Sequence, residues 1–326
     1  MNTVKVSKES EFFIAICQLK KHSYVTCGVK EPGKDSVLLA SFGKTSYDFC
    51  LPTMIVNESA VKYSYGKDYY YEPKKHLIRY KAYAISLDQY RAFLEYLKTL
   101  SQKQIARNEV IPPLKAYQFK AQDEETITLE WSEFADPEKK HKVAKRFYQF
   151  GLFNTCRHSA KEFVKEANQV QDFEDGVSSF SFIKPPLAAI FDKGVVTAER
   201  KFYILPLPPT AFKEIDSQKK MFLTALYKRM ETICLLNSES DKTFEKFSKL
   251  KALYQRIAPK ESGSILHVIQ TIKDWERENL SLIQTHRKTH WFTFKTATEN
   301  MFASFHKQFD KIEKRTQPVE NNYARQ

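Results

Sequence analysis

No CxxC pair occurs in the 326 residues, and the five cysteines, at 17, 27, 50, 156 and 234, form an odd and dispersed set. A structural zinc module needs paired thiols and a secreted disulfide framework needs an even count, so both are excluded and a reducing, cytoplasmic compartment is expected. The eight histidines are also scattered, with no HExxH or other paired-ligand spacing, so neither a metal centre nor a cofactor is implied. Long apolar runs are missing too. Stretches such as FFIAIC and PPLAAIF fall well short of the 18 or more residues that cross a bilayer. The opening MNTVKVSKESEFFIAIC sets acids among its lysines and has too short an apolar core for a signal peptide, so standard secretory export is not expected.

What the chain does have is apolar mass and basic charge. At 42% hydrophobic and 14% aromatic it can bury a sizeable core, and its length favours two domains over one. The net charge of +13 is uneven, with +4 on residues 1–175 and +9 on residues 176–326. A basic second half suits an acidic protein partner or an anionic membrane surface. Nucleic acid is the least expected of the anionic partners, and the simplest alternative is a solvated lysine-rich helical surface.

Along the first 85 residues, EFFIAICQL, HSYVTCGV, SVLLASFG, AVKYSYG and HLIRYKAYAI read as strands joined by short connections, which predicts an antiparallel sheet. SLDQYRAFLEYLKTLSQ then places Leu87, Tyr90, Leu94, Leu97 and Leu100 at helical spacing behind Ser86 as a cap. After a polar stretch, Cys156, Ala160, Phe163, Val164 and Ala167 form one apolar stripe on a helix beginning near Asn154. Residues 176–209, rich in proline, read as a linker. Four amphipathic patterns between 210 and 316 predict a helical bundle, and 317–326 a disordered tail. The expected class is therefore α+β, an antiparallel sheet with packed helices over 1–175, followed by an all-α domain.

One motif misleads. GVKEPGKDS matches G-x-x-x-x-G-K, but Asp35 stands where a phosphate loop needs Ser or Thr, and the strand-like SVLLASFG follows where a helix should. A turn on Pro32–Gly33 is the better reading.

FGLFNTCRHSAKEFVKEA carries the more informative pattern. A thiol in the first turn of a helix lies where unpaired amides and the helix dipole stabilise a thiolate, which makes Cys156 a candidate nucleophile. Such a thiol also needs a base. His22, opening the strand HSYVTCGV, is the candidate. Gln149, Tyr148 or Asn154 could help to hold an oxyanion beside the Cys156 amide. The competing reading makes Cys156 a small buried hydrophobe.

The order of a strand His followed by a helix Cys in an Asn-x-Cys-x-His context resembles the circularly permuted papain-like thiol enzymes, such as the lecithin:retinol acyltransferases and the desumoylating isopeptidases. His22-Ser23-Tyr24-Val25 and Asn154-Thr155-Cys156-Arg157-His158 carry the resemblance. Thr155 stands where the family has a second Asn, and Ser159 where it has an aromatic. The resemblance implies a permuted papain-like fold over about residues 11–170 and a polar residue near the end of the next strand that orients the His, here Asp48. The arrangement also looks like that of secreted bacterial effectors delivered into host cells by a non-classical route. Two functions are thus expected as alternatives: a cysteine-dependent hydrolase or acyltransferase acting on a protein or lipid amide, ester or thioester, or a non-catalytic module that binds a partner protein or anionic membrane through its basic helices.

Overall fold

The computed structural model describes residues 3–46, 59–65, 75–105, 115–138, 141–142, 147, 149–150, 154–170, 173, 175–180, 182–212, 215–259, 263–285 and 296–316. The chain divides into two compact units, Met1–Leu207 and Pro208–Gln326. The first runs β1 (Thr3–Ser7), β2 (Glu11–Leu19), β3 (His22–Lys30), β4 (Ser36–Ser46), β5 (Ser59–Tyr65), β6 (His76–Ile85), α1 (Leu87–Ile105), β7 (Lys115–Gln122), β8 (Thr126–Glu133), β9 (Gln149–Phe150), α2 (Cys156–Asn168), β10 (Leu187–Asp192), β11 (Val195–Val196) and β12 (Ile204–Leu205).

The expected α+β class with antiparallel sheets is present, and the main sheet is closed. Strands follow the order β11-β10-β6-β2-β3-β4, each antiparallel to its neighbour, and β11 pairs back onto β4 through Val195 with Val37 and Val196 with Ser36. The result is a six-stranded barrel. β5 and β9 extend from β4, β12 lies parallel to the far end of β6, and β1, β8 and β7 form a separate three-stranded sheet.

Closure corrects the expected linker. Residues 187–205 hold three strands of the first unit, and β10 pairs with β6 from Leu187 opposite Tyr80 to Phe191 opposite His76. The tight Lys193–Gly194 turn, with φ of 46° and 85°, folds β11 back on β10. Two consecutive left-handed residues are what a two-residue hairpin matched to strand twist requires. Pro185 and Pro186 precede these strands and Pro206, Pro208 and Pro209 follow them, so none interrupts a strand.

A six-stranded ring is too narrow to admit a helix, so the face that packs helices is the outer one. Phe12 meets Tyr90 of α1, and Phe42 meets Phe93 of α1 and Phe163 of α2, at ring separations of 5.9, 5.4 and 5.2 Å. The alternate residues point into the lumen, where Phe202 sits 5.0 Å from Phe13 and 4.6 Å from Tyr80. Both faces of β2 and β3 are therefore buried, which explains why EFFIAICQL is nearly continuous in apolar residues. Crowding in the lumen excludes side chains. A Cβ on Gly28 would lie 2.4 Å from Phe13 Cζ and 2.7 Å from the Val37 carbonyl oxygen.

Local signals explain the ends of several elements. Ser86 Oγ accepts from the Gln89 amide at 3.0 Å while Gln89 Oε1 accepts from the Ser86 amide at 2.8 Å, a reciprocal box that starts α1. The phosphate-loop look-alike is a turn with Gly33 at φ 73°, followed by β4 and no helix.

The second unit holds α3 (Ser217–Leu236), α4 (Asp241–Ile257), α5 (Ile265–Glu278), α6 (Leu280–Gln284) and α7 (Ala297–Thr316). Phe222 of α3 packs against Phe305 and Phe309 of α7, and Trp275 of α5 stacks on Phe302. Three lysines that charge counting would put on the surface, Lys219, Lys246 and Lys251, are buried. Lys246 donates to the carbonyls of Ile283 and Thr285 at the end of α6, so this cation serves as a helix C-cap. The tail 317–326 lies outside the described residues.

Candidate functional site

Cys156 is the first residue of α2, after Thr155 in the cap position with extended backbone. His158 Nδ1 lies 3.4 Å from the Thr155 amide and 3.1 Å from its hydroxyl, so the imidazole folds back onto the helix start. With Nδ1 as acceptor, the neutral ring carries its proton on Nε2. Burial, with Lys161 and Lys44 nearby, holds His158 below the usual imidazole range and favours that neutral form.

The helix start sits on the outer face of the barrel. The Ser23 amide donates to Cys156 Sγ at 3.4 Å, and Arg157 Nε donates to Ser23 Oγ at 2.8 Å. Arg157 has no exposed surface. Its other nitrogens donate to Gln18 Oε1 and, at 3.3 Å, to the Ser178 carbonyl, so the guanidinium ties α2 to β2, β3 and the segment after α2. A planar donor fork fits this role, since each N–H meets a fixed acceptor.

Lys44 is the other cation at the site. It lies two residues beyond Phe42 on β4 and so on the same outer face, which α2 covers. Only 1% exposed, it donates from Nζ to Asn154 Oδ1 at 3.1 Å and to the Asn154 carbonyl at 3.4 Å. Burial lowers its pKa to about 7, and the neighbouring Cys156 partly opposes the drop. Near neutrality this amine can therefore hold or release a proton beside a thiol.

The candidates separate accordingly. Cys156 and Asn154 come together, with Asn154 as the acceptor that positions Lys44. His22 does not join them. Its ring stacks on Tyr24 at 5.8 Å, and its Nε2 lies 2.5 Å from where a Cβ on Gly43 would be. Gly43 alternates with Phe42 and Lys44, so that Cβ, and His22 with it, faces the lumen side, away from α2. The expected approach of His22 to Cys156 is thus corrected by strand parity: Ser23, one residue on, faces the thiol. A shift of one residue along a strand exchanges its two faces.

Gln149 lies in β9, paired with Ala60 of β5. Asp48, Tyr148 and Cys50 fall outside the described residues. Sequence reasoning missed Lys44 and Arg157. Lys44 continues the phase of Ala40 and Phe42, whereas the register shift between Cys27 and Gly28 sets Leu38 opposite Gly28 on the lumen side, so the alternation is only a short signal for a buried lysine there. Arg157 had none, because a basic residue in a first helical turn ordinarily faces water. Among the described residues, no group of three His, Cys, Asp or Glu side chains is placed to hold a metal ion. No helix there is long and apolar enough to cross a membrane.

No family model, curated protein or solved structure matches the chain.

Proposed function

We propose that the barrel unit is a thiol-dependent hydrolase or acyltransferase in which Cys156 is the nucleophile and Lys44 its proton acceptor. The observation that carries this reading is a lysine 1% exposed, with a pKa near 7, set against a thiol at a helix N-terminus. In the neutral form Lys44 takes the thiol proton. The resulting ammonium stays beside the thiolate, and the first-turn amides of α2 add to the positive potential there. The thiolate attacks the carbonyl carbon of an amide, ester or thioester, and the oxyanion forms against the positive end of the helix. Lys44 returns the proton to the leaving group, and water or an amine then accepts the acyl group from sulfur. Asn154 orients the lysine, and His158 and Arg157 order the helix start. Both hold reacting groups in place and take no part in bond making.

The order of parts, a barrel strand before the thiol helix, supports kinship with the permuted papain-like enzymes, with Lys44 in the role that the resemblance assigns to a strand histidine. A substrate borne on a protein or on a lipid fits this chemistry.

A second reading, a non-catalytic binding module, is favoured by the low exposure of Cys156, 9%. One experiment separates the two. Mixing the full chain with 4-nitrophenyl acetate should release a burst of about one equivalent of nitrophenolate and leave an acetyl group on Cys156, as an acyl-enzyme requires. The Cys156→Ala protein should show no burst. A burst that survives in that variant, or acetyl groups spread over several residues, would reject the enzyme reading.

A further inference from the structure

The segment after α2 carries three large apolar side chains in water. Phe180, Phe182 and Ile183 are 63%, 76% and 49% exposed, and Leu77 is the other exposed large hydrophobe in the barrel unit's described residues. The two rings stack on each other at 5.3 Å and an interplanar angle of 26°. Scattered single apolar residues are ordinary on a protein surface, whereas three within four positions on one turn form a patch.

That turn is held outward at both ends. Arg157 donates to the Ser178 carbonyl at 3.3 Å, and Lys161 Nζ donates to the Val177 carbonyl at 2.6 Å and to Ser179 Oγ at 3.3 Å. On the far side, Arg79 donates to the Pro186 carbonyl at 3.3 Å. The Ile183 amide closes the turn on the Phe180 carbonyl at 3.1 Å. The stem of the turn is therefore tied to the first two turns of α2 and to β6.

Basic side chains stand on either side of the tip. Lys184 follows the tip and is exposed, as is Arg79. Lys161, 20% exposed, is ion-paired at 3.3 Å with Asp175, 2% exposed, so Lys184 and Arg79 carry the outward charge. A protein partner would need a pocket cut to fit two exposed rings, whereas a bilayer makes no such demand of shape. An apolar tip flanked by lysine and arginine meets both requirements of an anionic interface: rings for the acyl boundary and cations for the headgroups.

We propose that the Phe180–Ile183 turn is a membrane anchor that inserts its rings into the interface of an anionic bilayer, with Arg79 and Lys184 against the headgroups. This surface is distinct from the basic helical unit and does not depend on Cys156 reacting. If Cys156 does react, the same stem holds α2, and hence the thiol, close to the bilayer, which favours acyl groups carried on lipids or on membrane-bound proteins. That consequence alone rests on the thiol-enzyme reading.

Flotation of the full chain with phosphatidylcholine vesicles, with and without about 30% phosphatidylserine, tests the anchor. The wild type should float with the anionic vesicles and weakly with the neutral ones. Phe180→Ser with Phe182→Ser should lower partitioning by about ten-fold or more, Lys184→Glu by several-fold, and Cys156→Ala not at all. Wild-type protein that stays at the bottom of the gradient overturns the proposal. So does a double-serine variant that floats like the wild type, since binding would then run through another surface. Should the double variant lose its fold, Phe182→Trp provides a second readout: its added emission should shift to the blue and be quenched by brominated lipid on anionic vesicles, and an unshifted, unquenched emission refutes insertion.

Discussion

Replacing Lys44 with Met removes the titrating amine and keeps a side chain of similar length at a site 1% exposed. In the unfolded chain this lysine keeps its proton up to about 10.5, and in the folded barrel only up to about 7. Between those values the unfolded state binds one more proton at this position, so the fold gains stability as pH rises. Below about 7 both states hold the proton, and the full cost of burying the charge is present. The gain runs at about 1.4 kcal/mol per pH unit, so the whole window is worth of the order of 5 kcal/mol. Urea unfolding of the wild type and Lys44→Met from pH 6 to pH 10 reads this directly, because the other titrations largely cancel in the difference between the two proteins. The wild type should gain on the variant steadily above pH 7. A difference that stays flat with pH would show that Lys44 keeps its proton throughout, which removes it as an acceptor for the thiol.

Arg157→Met would leave Gln18 and Ser23, 3% and 0% exposed, without the guanidinium they bind, and should cost about 3 to 5 kcal/mol in urea unfolding; a loss under about 1 kcal/mol would mean the arginine ties nothing together. Gly28→Ala sets a Cβ 2.7 Å from the Val37 carbonyl oxygen, which cannot swing aside as the Phe13 ring can, so a loss of about 1 to 3 kcal/mol is expected, and unchanged stability would argue against so tight a lumen. Iodoacetamide on the native protein should label Cys156 ahead of Cys17 and Cys27, both with no exposed surface, and of Cys234, 3% exposed. Burial pushes the Cys17 thiol up to about 12 and raises Cys27 as well, which slows both further. Equal labelling of the four by peptide mass spectrometry would contradict this order.

Much of the barrel was legible because its strands carry local signals. β2, β3, β4, β5 and β6 fall on the apolar runs that mark them, and the Ser86 box marks α1. Strand closure was not. FDKGVV reads as a hairpin only once the Lys-Gly turn is allowed a positive-φ lysine, and the prolines on either side of it suggested a linker. β7 and β8 lay in what reads as a polar stretch because most of their residues meet water, while Ala116, Ile127 and Leu129 are buried. At the site, the helix start with Cys156 could be read from spacing, since periodicity fixes which residues share a helical face. The partner of the thiol could not, because choosing between His22 and Lys44 requires knowing which face of each strand meets α2. A barrel buried on both faces erases the alternation that would have told them apart.

The rate of Cys156 alkylation by iodoacetamide at pH 7.5 in the wild type, Lys44→Met and His22→Ala tests the pairing most directly. With Lys44 as the group facing the thiol, Lys44→Met should slow the reaction by about ten-fold or more, while His22→Ala, altered on the lumen side, should stay within about two-fold of the wild type. Slowing in His22→Ala with no change in Lys44→Met would contradict the account.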